Sequence, residues 1–227
     1  MGTIVVYSNA SVFSPTLAEA LRKNKVIITT SLDTGLASSY DKLKGGKQFT
    51  KVIRNLIRYR NTGTQQLWLK CVITETNRTE DDLWSFVMAM LALRPNKVMI
   101  CPDFPYGKTE VDEATVKYAA RLWYAVDQLL GLTPTDYTAA FGAPEWVKYR
   151  EDLSAGLADL RREQRSAGPV EALQRPRATE LALHSIGRLR ASVWRGGLRK
   201  RLAPAGSARE RLLVLLYRRT LGRLIGE

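Results

Sequence analysis

The sequence predicts an α/β fold: a partial (β/α) barrel with about four parallel strands, followed by a basic α-helical tail. Three observations lead there. Short β-branched runs alternate with segments of helical period four times within residues 1–145. The runs are nearly continuously apolar, as parallel strands are, rather than alternating. Past residue 150 the basic residues change from a lysine and arginine mixture to arginine almost alone.

Thr3-Ile-Val-Val-Tyr7 is a β-branched run ended by Ser8-Asn9 and is expected as a buried strand. Pro15 suits the first turn of a helix that continues through Leu17 and Leu21. Lys25–Leu32 is the second strand, closed by Asp33-Thr-Gly35. Phe49, Val52, Ile53, Leu56 and Ile57 recur at helical spacing, and Thr62-Gly63 ends that helix. Leu67–Thr74 is the third strand. Thr79-x-x-Asp82 is a helix start, with Leu83, Phe86, Val87 and Met90 as the apolar stripe. Lys97–Cys101 is the fourth strand, stopped by Pro102 and Pro105. Thr109-x-x-Asp112 opens a last helix with Val116, Ala120, Trp123 and Leu130 inward. Right-handed crossovers gather every strand's C-terminal end at one rim, where functional groups collect in such folds. The rim would show Ser8-Asn9, Ser31 and Asp33, Thr74 and Asn77, and Asp103.

Composition narrows the chemistry. Hydrophobic residues at 45% and charged residues at 25% exclude a wholly disordered chain. Ser8, Asn9 and Ser11 interrupt the apolar stretch Ile4–Tyr7, so a signal peptide is not expected, and no apolar run is long enough to cross a membrane. Two cysteines make no disulfide framework, which points to a cytoplasmic protein. A single histidine, His184, argues against zinc sites built on several histidines and against His-based triads.

Ser31 and Asp33, two apart at a strand end, share a side and could hydrogen-bond a small polar ligand; an ordinary turn satisfied by Asp33 is the equal alternative. Lys70, between Leu69 and Cys71, either pairs with a carboxylate or ligand or carries its ammonium to water along its stem. Asn77 is a turn residue or a ligand amide. Cys71 and Cys101 stand at like positions of adjacent strands and read as small core residues, near neighbours rather than metal ligands. Lys44-Gly-Gly-Lys47 precedes a helix instead of following a strand, so it reads as a solvated loop.

Taken together, five strings resemble the second half of the radical S-adenosylmethionine core domain over about residues 1–107. They are Tyr7-Ser-Asn-Ala-Ser11; Ile28-Thr-Thr-Ser-Leu-Asp-Thr-Gly35; Tyr40-Asp-Lys-Leu-Lys-Gly45 with Phe49 and Val52; Leu69-Lys-Cys-Val-Ile73; and Asn77. The resemblance implies a (β/α)6 partial barrel, S-adenosylmethionine and a 4Fe–4S cluster as cofactors, and hydrogen abstraction by a 5′-deoxyadenosyl radical. It assigns Ser31 and Asp33 to S-adenosylmethionine, and places Asn77, Lys70 and Asn9 around the same site. The family's cluster motif, C-x3-C-x2-C, is absent from this chain. The expectation is a truncated or split form, inactive as it stands, with the alternative of a non-catalytic interaction module.

The remainder, 146–227, reads as an Arg-rich helical tail with a linker near 166–177. Residues 175–227 hold 13 Lys and Arg against 3 acids. Two basic helices, Leu181–Arg201 and Ala208–Ile225, are expected there, docking on the domain, an anionic membrane surface or a partner protein; nucleic acid is the less favoured partner because few aromatics accompany the charge.

Overall fold

The computed structural model describes residues 4–103, 110–141 and 146–167. Five parallel strands form one sheet in the order of the chain: β1 (Ile4–Tyr7), β2 (Val26–Ser31), β3 (Leu67–Ile73), β4 (Lys97–Pro102) and β5 (Thr135–Asp136). Between them lie α1 (Pro15–Arg22), α2 (Ala37–Lys44), α3 (Phe49–Arg60), α4 (Glu80–Leu93) and α5 (Glu113–Leu130), and α6 (Trp146–Ala167) follows. The α/β class and the parallel sheet agree with expectation. The fifth strand is a two-residue element with no apolar run to announce it.

Strand order 1-2-3-4-5 means that every crossover moves the same way along the sheet. Since such crossovers are right-handed, the intervening helices fall on one face. Burial agrees. Residues of one phase, Val26 and Ile28 of β2, Leu67, Leu69, Cys71 and Ile73 of β3, and Val98 and Ile100 of β4, join the helices in a single core. Their opposites in register, Tyr7, Thr29, Ser31, Trp68, Lys70 and Met99, share the second face. The side chain of Tyr137, just past β5, lies on this face, over the Lys70 ammonium of β3 and close to Tyr7 of β1.

The periodic stripes are core residues: Phe49, Val52, Ile53, Leu56 and Ile57 in α3, and Leu83, Phe86, Val87 and Met90 in α4, are buried. Caps account for the helix starts. Ser14 accepts from the Leu17 amide ahead of Pro15, and Thr79 accepts from that of Asp82. The last of these helices starts later than its motif suggests, because Asp112 is itself the N-cap of α5, accepting from Thr115. A second difference concerns β1. It is an edge strand whose Ile4 and Tyr7 are 62% and 68% exposed, rather than a buried one. Composition alone cannot distinguish a central strand from an edge strand.

Beyond residue 145, Trp146, Tyr149, Leu153 and Leu157 of α6 are buried in the same core, against α5. Among the described residues no helix is long and apolar enough to cross a membrane. The two basic helices expected at 181–201 and 208–225, and most of the 166–177 linker, lie outside the described residues.

The tightest backbone approach is between Gly35 and α4. A Cβ on Gly35 would stand 1.9 Å from the carbonyl oxygen of Ser85. Its amide donates to the Ser85 hydroxyl (3.2 Å), which donates to the carbonyl of Asp82 (3.0 Å). Gly35→Ala must push the β2–α2 turn off α4, so we expect destabilisation of about 3 kcal/mol. An unchanged urea midpoint would contradict this packing.

Candidate functional site

The turn after β2 is built around a buried carboxylate. Asp33 is 3% exposed and has φ +63°, a left-handed conformation that aspartate tolerates better than most residues. Its Oδ1 accepts the Val72 amide of β3 at 2.8 Å, and its Oδ2 pairs with the Lys44 ammonium at the end of α2. Its own carbonyl accepts from the Asn77 amide group (2.9 Å) and the Cys71 thiol (3.3 Å). Desolvation of the carboxylate is thus offset by one backbone donor and one cation.

Asn77 is equally committed. Its Nδ2 also donates to the Val72 carbonyl at 2.8 Å, and its Oδ1 accepts the amide and hydroxyl of Thr74 at 2.7 and 3.0 Å. Asp33 and Asn77 are therefore brought together, but as a clasp joining the ends of β2 and β3. Asn9 stands apart. It is exposed and accepts the Ser11 amide (3.0 Å) and hydroxyl (2.8 Å) in its own turn.

Ser31 and Lys70 stand side by side in register on the second face of the sheet, each part-buried. Lys70 has no carboxylate partner among the described residues; its ammonium lies 4.6 Å from the ring centroid of Tyr137. Beside them, Thr29 is 4% exposed, and its hydroxyl has no hydrogen-bond partner among the described residues. A buried hydroxyl without a partner is uncommon and marks a place where a polar group could be accepted. Ser31, Lys70 and Thr29, with Tyr7 and Tyr137 above them, form the polar part of this face.

Several of these residues were not legible as site residues. Lys44 falls in a stretch that reads as a solvated loop, yet it neutralises Asp33. Thr34 and Asp82 share a buried hydrogen bond of 2.7 Å, and the Thr79 hydroxyl donates to the other oxygen of Asp82 at 2.5 Å. The capping motif Thr79-x-x-Asp82 was the only signal of that network. Thr29 and Tyr137 gave none, since one sits inside an apolar strand and the other follows a strand of two residues.

The cysteines are near neighbours along the sheet but not across it. Cys71 is in register with Ile100, and Val72 with Cys101, so the two thiols point to opposite faces. Burial pushes both up: Cys101 to about 12, and Cys71 well above the usual thiol range. The family's cluster is held by three thiolates from one short loop. Two buried, neutral thiols on opposite faces do not fit that role. No group of three metal-ligating side chains occurs among the described residues.

No protein-family model matches the chain, and no curated protein matches it. The resemblance to the radical S-adenosylmethionine core thus stands on the five strings alone.

Two outcomes test this geometry. Lys44→Met leaves the Asp33 carboxylate buried without its cation and should cost about 1–3 kcal/mol, against less than about 0.5 for Lys42→Met. Asp33→Asn combined with Lys44→Met should lose less than the sum of the two single changes. Because both thiols stay protonated at neutral pH, native protein should leave them untouched by a thiol-specific disulfide reagent, and unfolding in guanidinium should release two thiols per chain.

Proposed function

We propose that the chain is the later half of a radical S-adenosylmethionine-type core that cannot hold the cluster with its own residues. In this reading it contributes S-adenosylmethionine contacts from the second face of the sheet once the cluster-bearing part is supplied from outside residues 1–227. The observation that carries the reading is the winding. A parallel sheet in strict chain order, with its helices on one face, is the winding that a partial (β/α) barrel has. Four of the five strings of the resemblance also fall, in order, at or just past the ends of β1, β2 and β3, and the other lies on α2 and α3.

The roles then divide. Ser31 and Lys70, with Thr29, are the ligand-facing groups. Asp33 and Asn77 set the shape of the rim by tying β2 to β3. Asn9 belongs to the loop after β1. S-adenosylmethionine brings a carboxylate, an amine and ribose hydroxyls, which match a lysine ammonium and two side-chain hydroxyls. When bound with a low-potential cluster, it supplies the radical; none of this chain's residues performs that step. The alternative, a non-catalytic module that docks through 175–227 on an anionic membrane surface or acidic partner, rests on residues outside the described ones.

The test is the in-frame coding sequence upstream of Met1. The expected result is a C-x3-C-x2-C segment within about one small domain's length. Protein made from that longer frame, reconstituted anaerobically with iron and sulfide, should show cluster absorbance and release 5′-deoxyadenosine. In it, Ser31→Ala with Lys70→Ala should weaken S-adenosylmethionine binding at least about tenfold, the loss of two polar contacts. An immediate in-frame stop codon, together with no calorimetric binding of S-adenosylmethionine by the chain alone, would sink the proposal.

A further inference from the structure

A marked charge asymmetry in the described residues centres on α3, on the helical side of the sheet, although it extends to Lys70 on the opposite face of β3. From Lys42 to Thr74 there are eight cations, Lys42, Lys44, Lys47, Lys51, Arg54, Arg58, Arg60 and Lys70, and no acid. Three of them, Lys51, Arg54 and Arg58, follow one another at i, i+3 and i+7 along α3. At 100° per residue they fall within about 60° of arc, and all three are exposed. Lys47, also exposed, stands just before the helix starts at Phe49.

None of these four cations is in an ion pair among the described residues. Several exposed cations elsewhere are paired, Arg22 and Lys23 with Glu19, Lys117 with Glu113, and Lys148 with Asp152, while the scattered Lys25, Lys42 and Arg94 are in no ion pair among the described residues. Like charges at helical spacing each cost a few tenths of a kcal/mol, so this stripe works against the helix that carries it. Nor does it serve packing, because the opposite face of α3 supplies the core through Val52, Ile53, Leu56 and Ile57. Only Arg58 is held in place. Its guanidinium lies 3.4 Å from the centroid of Phe13, whose ring stacks on Tyr59 at 4.9 Å.

We propose that this outer face of α3 binds the phosphate backbone of nucleic acid without reading its sequence. A row of unpaired lysines and arginines about 10 Å long, extended a further turn by Lys47, matches a strand that carries one phosphate per 3.4 Å of rise. An interfacial lipid helix needs an apolar face beside its basic one, and that of α3 is committed to the core. Base stacking needs a free aromatic face, whereas Phe13 lies between Tyr59 and Arg58. What remains is charge aimed at phosphate. The inference does not depend on the cofactor reading above, and either could fail alone.

The experiment is a salt titration of full-length protein against a fluorescein-labelled 20-base-pair duplex of arbitrary sequence, followed by anisotropy. Lys51→Gln/Arg54→Gln/Arg58→Gln should weaken binding at least about tenfold near 0.1 M salt. It should also flatten the slope of log K against log salt by about 2.7, at 0.9 per lost phosphate contact. The single change Arg54→Gln should flatten it by about 0.9. An equal charge loss elsewhere, Lys117→Gln/Lys148→Gln/Arg162→Gln, should leave the slope unchanged within error. If the two triple variants flatten it equally, binding reflects net charge or the Arg-rich 175–227 segment, and the proposal fails. It fails too if the α3 variant keeps its duplex slope but loses flotation with phosphatidylserine vesicles, which would make the partner a membrane surface.

Discussion

A parallel strand can rejoin its neighbour only through a right-handed crossover, and this chain takes four such steps in one direction. The helices between strands are thereby committed to a single face. One residue phase of each strand enters the core with α1 to α5, and α6 closes over α5 through Trp146, Tyr149, Leu153 and Leu157. The other phase is left for a different purpose. The free second face, with Tyr7 and Tyr137 close to each other on it and Ser31 in register with Lys70, follows from that commitment.

The same winding explains why the strand ends are held so firmly. A sheet built by repetition needs its C-terminal ends in register, and here one aspartate secures two of them. Asp33 draws on the Val72 amide, the Asn77 side chain, the Cys71 thiol and the Lys44 ammonium. Just beyond it, Thr34 and Gly35 bind α4 through Asp82 and Ser85. A polar cluster of this density has little capacity left for a ligand. The less committed polar groups are the hydroxyls of Thr29 and Ser31 and the ammonium of Lys70.

Charge is distributed on a different plan. Carboxylates at helix starts meet local cations, as Asp112 meets Arg78 and Glu80 meets Arg121. The segment from Lys42 to Thr74 has cations as its only charged residues, and three of the eight reach solvent along α3. The two faces of the layer thus differ in kind. One has hydroxyls, tyrosines and a lysine; the other carries an exposed row of positive charge.

Much of the fold was written in local pattern. The stripes of α3 and α4, the caps at Ser14 and Thr79, and the apolar runs of β2, β3 and β4 depend on neighbours within a few residues, so the sequence by itself determined them. Long-range relations were decided by tertiary structure. That β1 is an edge strand depends on what pairs with its far side. A strand as short as β5 exists only because β4 offers a free edge. The two thiols diverge because parallel register sets Cys71 beside Ile100 rather than Cys101. Asp33 and Asn77 show the division most clearly. Their residue types and their place at strand ends were readable from sequence, but whether their polar atoms served a ligand or the fold depended on donors 39 and 44 positions away. Hydrogen-bond partners at that separation are chosen by the register of strands, which no local pattern encodes.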